Sequence, residues 1–422
     1  MRRAIPIGVV LVLLWSADIR GYGVLSHEAI VDSAWDASIL PILHARYHPS
    51  DDALKHARAF AYGGCLIQDL GYYPFSSRFF GDLTHYVRSG DFIRSLIQNA
   101  RDVNELAFAL GALAHYAADN NGHPIAVNRS VALIFPKVSA KYGGRPTYED
   151  DPTAHVRTEF SFDVVQIARG TYVPQAYHDF IGFEVATPVL ERAFRETYGL
   201  ELRDVFNDFE ASLGTFRWTL SKAVPKMTKI AWDIKRDDIE RLSPGVSRDD
   251  YLFTMPRAKY DAEWGTNDRR PNVFERFLGT VVQVLPKIGP LKVLKFEPPT
   301  PEAERLFLDS FRVTTDRYRA LLSDVARDDL HVDNRNIDTG ELTQPGEHRL
   351  ADRAYEQLLS RLAKAHFSTV TPELKANLLA FFAGSTSVPH DKDSLKAWQE
   401  VPANVRALRA ARNTLSPERR RN

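Results

Sequence analysis

The sequence predicts an all-α protein, a multi-helix bundle followed by a helical extension. Three observations carry this. Apolar residues recur at helical spacing over long segments, most clearly in DVNELAFALGALAHYAAD, where Leu106, Leu110, Leu113 and Ala117 mark one stripe. Helix start and stop residues frame several of these segments. Period-two alternation, the mark of half-buried strands, is sparse. At 44% hydrophobic and 26% charged residues, the chain of 422 has the composition of a globular protein with ample length for a buried core.

The elements follow in order. Arg2 and Arg3 precede the apolar run AIPIGVVLVLLW, which is too short to cross a hydrocarbon core of roughly 30 Å comfortably. A charged start before a short apolar core reads as a signal peptide over residues 1–21, or as an anchor if it stays uncleaved. Either directs export across the cytoplasmic membrane. A helical domain is expected over 22–241. It opens with SHEAIVDSAWDASIL, with Ser26 as cap and His27 in the first turn. DDALKHARAFAYGGCLIQDLG forms a helix that ends near Gly71, with Asp69 in its last turn or just past it. The long helix around His115 is stopped by Gly122 and Pro124, so His123 sits at its exit, turned inward by a loop. In DDPTAHVRTEFSFDVVQIA, Asp151 caps and Pro152 takes the first helical position. Residues 242–300 are rich in Pro, Gly and charge and read as an insertion or linker. Two amphipathic helices fall in an extension over 301–385, and 386–422 read as a basic tail whose end, RALRAARNTLSPERRRN, is frayed.

Lys plus Arg equals Asp plus Glu at 54 each, so no global field draws the chain to nucleic acid or an anionic membrane. The single cysteine, Cys65, excludes an intramolecular disulfide and a thiolate metal site. Any metal must therefore take imidazole, carboxylate, water or backbone ligands. The sequence offers imidazole and carboxylate in pairs. His115 and Asp119 are four apart, and so are His155 and Glu159, which places each pair on one helix face. His27, Asp69, His85 and His123 complete eight zinc-ligand candidates. Taken singly, each reads equally as a core histidine, a helix-end residue or a surface ion pair.

In this order, YGVLSH, DLG, THYV, HYAAD and HVRTE resemble the zinc-dependent phospholipase C family, whose superfamily includes the S1/P1-type nucleases. The resemblance covers roughly residues 22–240. It implies an all-α fold with up to three zinc ions in a cleft. His85, His115, Asp119 and Asp69 would hold one ion, and His123, His155 and Glu159 a second. His27 would join a bridging Asp119 on a third, together with the free N-terminus, which falls at Tyr22. Two residues depart from the family pattern. Its N-terminal residue is usually Trp, and its histidine lies six after the bridging Asp, where this chain has Ile125; His123 lies four after.

The implied function is that of a secreted phosphodiesterase of the phospholipase C type, with Asp69 as catalytic proton acceptor for the attacking water. Tyr72, Tyr73 and Phe75, with Phe79 and Phe80, are expected to form an apolar rim for substrate, although such rings also pack bundle cores. The rim suits a phospholipid and peripheral membrane contact. It equally suits a stacked base, which leaves a single-strand nuclease as the alternative, although those relatives generally carry disulfides. A non-catalytic, metal-stabilised binding protein is the third reading. No obligate protein partner is implied.

Overall fold

The structure is a computed structural model that describes residues 23–73, 75–169, 184–218, 297–384 and 397–411, with a few isolated positions between 232 and 245. The all-α expectation holds. Three helices open the described part of the chain: α1 (Val24–Ala34), α2 (Leu40–Tyr47) and α3 (Asp51–Leu66), the last continuing into a 3₁₀ turn over Ile67–Tyr72. Then come α4 (Arg78–Tyr86), α5 (Ser89–Asn99) and α6 (Val103–Gly122). A π turn, His123–Val127, leads to α7 (Asn128–Ile134), α8 (Pro136–Tyr142) and α9 (Pro152–Arg169). After it lie α10 (Thr187–Tyr198), α11 (Leu202–Val205) and α12 (Phe209–Trp218). The C-terminal half contributes α13 (Pro301–Ala326), a short hairpin of β1 (Arg335–Asn336) and β2 (Glu341–Leu342), then α14 (Arg349–Lys364), α15 (Pro372–Ala383) and α16 (Val401–Ala410).

Helix α6 is the axis of the bundle. Asp102 caps it, accepting from the N–H groups of Asn104 and Glu105 at 2.9 Å each. The stripe of Leu106, Leu110, Leu113 and Ala117 is buried, and so are His115 and Asp119 on the other face. A helix buried on all sides belongs to the centre of a core. Its closest neighbour is α3, and glycine sets that distance. A Cβ on Gly111 would come within 1.9 Å of the Ala61 carbonyl oxygen, and one on Gly64 within 1.9 Å of the Phe108 carbonyl oxygen. Gly111→Ala should therefore destabilise the protein by about 1–3 kcal/mol, despite the better helix propensity of alanine. Urea unfolding checks this. A lower midpoint at constant slope is expected, and an unchanged midpoint would contradict the tight α3–α6 crossing.

Several local expectations need correction. Gly23, not Ser26, is the N-cap of α1. Ser26 lies inside the first turn and donates to Asp163 Oδ1 at 2.7 Å, while Asp163 Oδ2 accepts from the Leu25 N–H at 3.2 Å. A carboxylate from α9 thus does the capping that Ser26 was expected to do. Pro124 does not end the helical run. His123 keeps helical angles, and the chain widens into the π turn, with the Asn128 N–H bonded to the His123 carbonyl. Proline is tolerated there because the wider turn skips the bond its missing N–H would have made. Asp151 caps α9 as expected, accepting from the Ala154 N–H at 2.9 Å.

The C-terminal helices share the core of the first half. Tyr318 on α13 donates its hydroxyl to the Leu110 carbonyl of α6 at 2.9 Å, and one buried apolar cluster runs from Ile30 to Leu408. Val401 and Leu408 on α16 are buried, and Leu408 falls in the stretch expected to fray. They lie seven apart with Val405 between them, which makes one apolar stripe. The segments 1–22, 242–244, 246–296, 385–396 and 412–422 lie outside the described residues, so the signal peptide, nearly all of the linker and most of the basic tail are among them.

Candidate metal centre

Six elements converge on one buried point. His27 comes from α1, Asp69 from the 3₁₀ turn, His85 from the last turn of α4, His115 and Asp119 from α6, His123 from the π turn, and His155 and Glu159 from α9. All eight are buried. Tyr22 lies outside the described residues.

Asp119 is the hub. Its Oδ2 lies 3.1 Å from His115 Nε2 and 3.7 Å from His85 Nε2. Its Oδ1 lies 3.4 Å from His27 Nε2 and 3.7 Å from His123 Nε2. Asp69 Oδ1 is 3.4 Å from His85 Nε2. On the far side Glu159 Oε1 is 2.9 Å from His155 Nε2 and 3.4 Å from His123 Nε2. The two oxygens of one carboxylate thus face different histidines, as a bridge between two cations requires.

Zinc fits these donors. Bonds of about 2.0–2.1 Å in tetrahedral geometry space neighbouring ligands about 3.4 Å apart. The pairs above scatter around that edge, from 2.9 to 3.7 Å. Three groups bring one donor atom from each member within 4.8 Å of one another: His27, Asp69 and His115; His85, His115 and Asp119; and His123, His155 and Glu159. His115 belongs to two of them but has one nitrogen to give, because its Nδ1 lies 2.9 Å from the Cys65 carbonyl oxygen. The same device orients His85, whose Nδ1 lies 2.9 Å from the Gly81 carbonyl oxygen. A backbone acceptor at Nδ1 fixes the tautomer and turns Nε2 toward the ion. The Nε2 atoms of His85, His115, His123 and His155, both Asp119 oxygens and Glu159 Oε1 are buried without a hydrogen bond among the described residues. Buried polar atoms are normally satisfied, so this concentration in one place needs a partner such as a cation.

Charge points the same way. Burial alone would raise the Asp119 pKa, but His115, His123 and His27 pull it far below the usual carboxylate range. Burial would lower His115, yet Asp119 and Asp69 carry it up to about 9. Burial lowers His27 well below the ordinary value, with His115 adding to it and Asp119 opposing. Asp69 is raised, chiefly by burial, with His115 and His85 holding it back. The acids therefore draw positive charge into the site, as protons on imidazole or as a metal that displaces them.

The aromatic residues divide. Tyr72 packs edge-on against His85, with centroids 5.3 Å apart, and Tyr148 meets His155 in the same way at 5.5 Å. Tyr73, expected at the rim, is instead buried edge-on against Phe216, with centroids 4.5 Å apart. Phe79 and Phe80 are buried too, Phe80 stacked on Phe194. Phe75 is 55% exposed and has a positive φ of 65°. Of the three residues first placed at the rim, Tyr72 touches the histidine cluster and Phe75 faces solvent.

The chain matches the model of the zinc-dependent phospholipase C family over residues 26–208. The matched stretch contains all eight converging residues, so the part of the chain similar to that family is the part that holds the site. That family implies a metal-dependent phosphoric diester hydrolase of the phospholipase C type. No curated protein and no solved structure matches the chain.

Sequence reasoning missed the groups behind this site. Asp338 is buried, with Oδ1 3.3 Å from His123 Nδ1 and Oδ2 3.5 Å from His348 Nε2. His348 Nδ1 lies 3.2 Å from Glu149 Oε2. The available signal was a turn, Asp338-Thr339-Gly340, in a stretch dense with Asp and Asn.

Proposed function

We propose that the protein is an exported enzyme that hydrolyses the phosphodiester of a phospholipid, with zinc ions held by His85, His115, Asp119 and Asp69 and by His123, His155 and Glu159. Asp119 would reach a third ion together with His27 and Tyr22. The observation that supports this most is the meeting of separate donor groups at the two oxygens of Asp119. Bound zinc supplies a water of lowered pKa and neutralises charge that grows on the phosphoryl oxygens.

The chain's own residues do the rest. Asp69 accepts the proton of the attacking water; burial raises its proton affinity, which suits a base that must also release the proton again. Asp119 holds two donor groups at fixed separation, so the phosphodiester meets a preset array. The rings of Tyr72 and Tyr148 border the cluster and limit water. Phe75 offers an exposed apolar surface three residues from Tyr72, suited to acyl chains and to peripheral contact with a membrane surface. Among the described residues, no helix is long and apolar enough to cross a membrane. Export rests on Arg2, Arg3 and the apolar run that follows.

Turnover of a phosphatidylcholine analogue, compared with single-stranded DNA on the same zinc-loaded protein, tests the reading. Release of the phosphorylated headgroup without DNA cleavage is expected. Cleavage of DNA alone would assign a nuclease, and turnover of neither at full zinc content would assign a binding protein.

A further inference from the structure

A β-hairpin beyond the family domain ends inside the metal centre. Arg335 pairs with Leu342 and Asn336 with Glu341, and residues 337–340 turn between them. The Asn336 carbonyl accepts from the N–H groups of Thr339 and Gly340, at 3.2 and 2.8 Å. Gly340 has a φ of +75°, and a Cβ there would come within 2.7 Å of the Asn120 carbonyl oxygen. That carbonyl faces the position where proline leaves no N–H to fill a helical bond. The turn is thus seated where α6 widens into the π turn that carries His123.

Further bonds hold the turn. The Ile337 N–H donates to the His85 carbonyl at 3.2 Å, and the Asn128 amide donates to the Asp338 carbonyl at 2.8 Å. Asp338 Oδ2 accepts from the Tyr148 N–H at 3.0 Å and has His348 Nε2 at 3.5 Å. The Asp338 side chain is therefore fixed from two sides, with Oδ1 left facing His123 Nδ1 at 3.3 Å. His85 and His115 use backbone carbonyls at Nδ1. For His123 the group facing Nδ1 is a carboxylate brought from the other half of the chain, at ion-pair distance and short of hydrogen-bond geometry.

We propose that Asp338 is the positioning residue of the His123–His155–Glu159 group. It holds the His123 ring with Nδ1 protonated and Nε2 turned toward Glu159, so the hairpin 335–342 is a working part of the metal centre. The proposal rests on those three residues binding a divalent ion, as proposed above. Asp338 acts through His123 and touches no substrate. Its carboxylate also explains how a histidine four residues after Asp119 can serve, because it fixes a ring that would otherwise turn with the widened helix.

The test is zinc competition with a chromophoric chelator on full-length protein. In Asp338→Asn, which keeps the size of the side chain, one zinc ion should bind 10–100-fold more weakly while the others are unchanged. Unchanged affinity for every ion overturns the proposal, and so does equal weakening of all of them, since the hairpin would then merely prop the bundle. A second readout needs no folded Asp338 variant. In ¹⁵N-histidine spectra of the zinc-loaded protein, with His123→Gln assigning the signal, His123 should carry its proton on Nδ1; a proton on Nε2 overturns the proposal. A native protein that takes up no zinc overturns the reading of the site and this proposal with it, whereas native uptake with an indifferent Asp338→Asn overturns this proposal alone.

Discussion

Asp119→Asn should abolish hydrolysis and lower the zinc content in one step. The substitution preserves shape within a buried helix, so the fold is expected to survive. What changes is the donor set. The native carboxylate directs one oxygen to His115 and His85 and the other to His27 and His123. An amide keeps one acceptor and turns an NH₂ donor toward the other group, where it repels a cation. At least one ion per chain should be lost, and turnover should fall by roughly 10²–10³-fold or more, since the fixed charge that steadies the transition state goes with it. Metal analysis beside a turnover assay checks both effects. Full zinc content in the variant would remove Asp119 from its bridging role.

Stripping the metal should have the second-largest effect, on stability. Without a cation, the core holds imidazole nitrogens and carboxylate oxygens that are buried and lack hydrogen bonds among the described residues. Leaving such groups unpaired costs about 1–3 kcal/mol each. Zinc present at a thousand times its dissociation constant stabilises the native state by about 4 kcal/mol per site. For a protein of this size, chelation should therefore lower the thermal midpoint on the order of 10 °C. The effect should shrink toward low pH. His115 is carried up to about 9 by Asp119 and Asp69 against the pull of burial, so protons compete with the metal there with growing success as pH falls. Scanning calorimetry with and without chelator at two pH values reads this directly. An unchanged midpoint at neutral pH would mean that the cluster satisfies itself.

The ligand pairs were legible because a helix brings residues four apart together without help from the rest of the chain. That rule placed His115 beside Asp119 and His155 beside Glu159 before any fold was known. The start of α9 was legible for the same reason, since Asp151 and Pro152 act locally. Where two distant segments decide the outcome, local rules failed. Pro124 reads as a stop, and only the structure shows the run absorbing it as a π turn. Ser26 reads as a cap, but Asp163 arrives from α9 and takes that place. Tyr73 follows Tyr72 directly in the chain, yet one ring meets His85 and the other Phe216, because the end of the 3₁₀ turn sends consecutive side chains in different directions. Asp338 left no local trace of its task, since its partner His123 lies in the other half of the chain.

Imidazoles and carboxylates from six elements should surround bound zinc in the purified protein. Anomalous diffraction at the zinc edge from crystals of the purified protein tests it most directly. At least two separate peaks are expected, one among His85, His115 and Asp119 and one among His123, His155 and Glu159. Crystals grown with zinc that show no peak at either position would contradict the account.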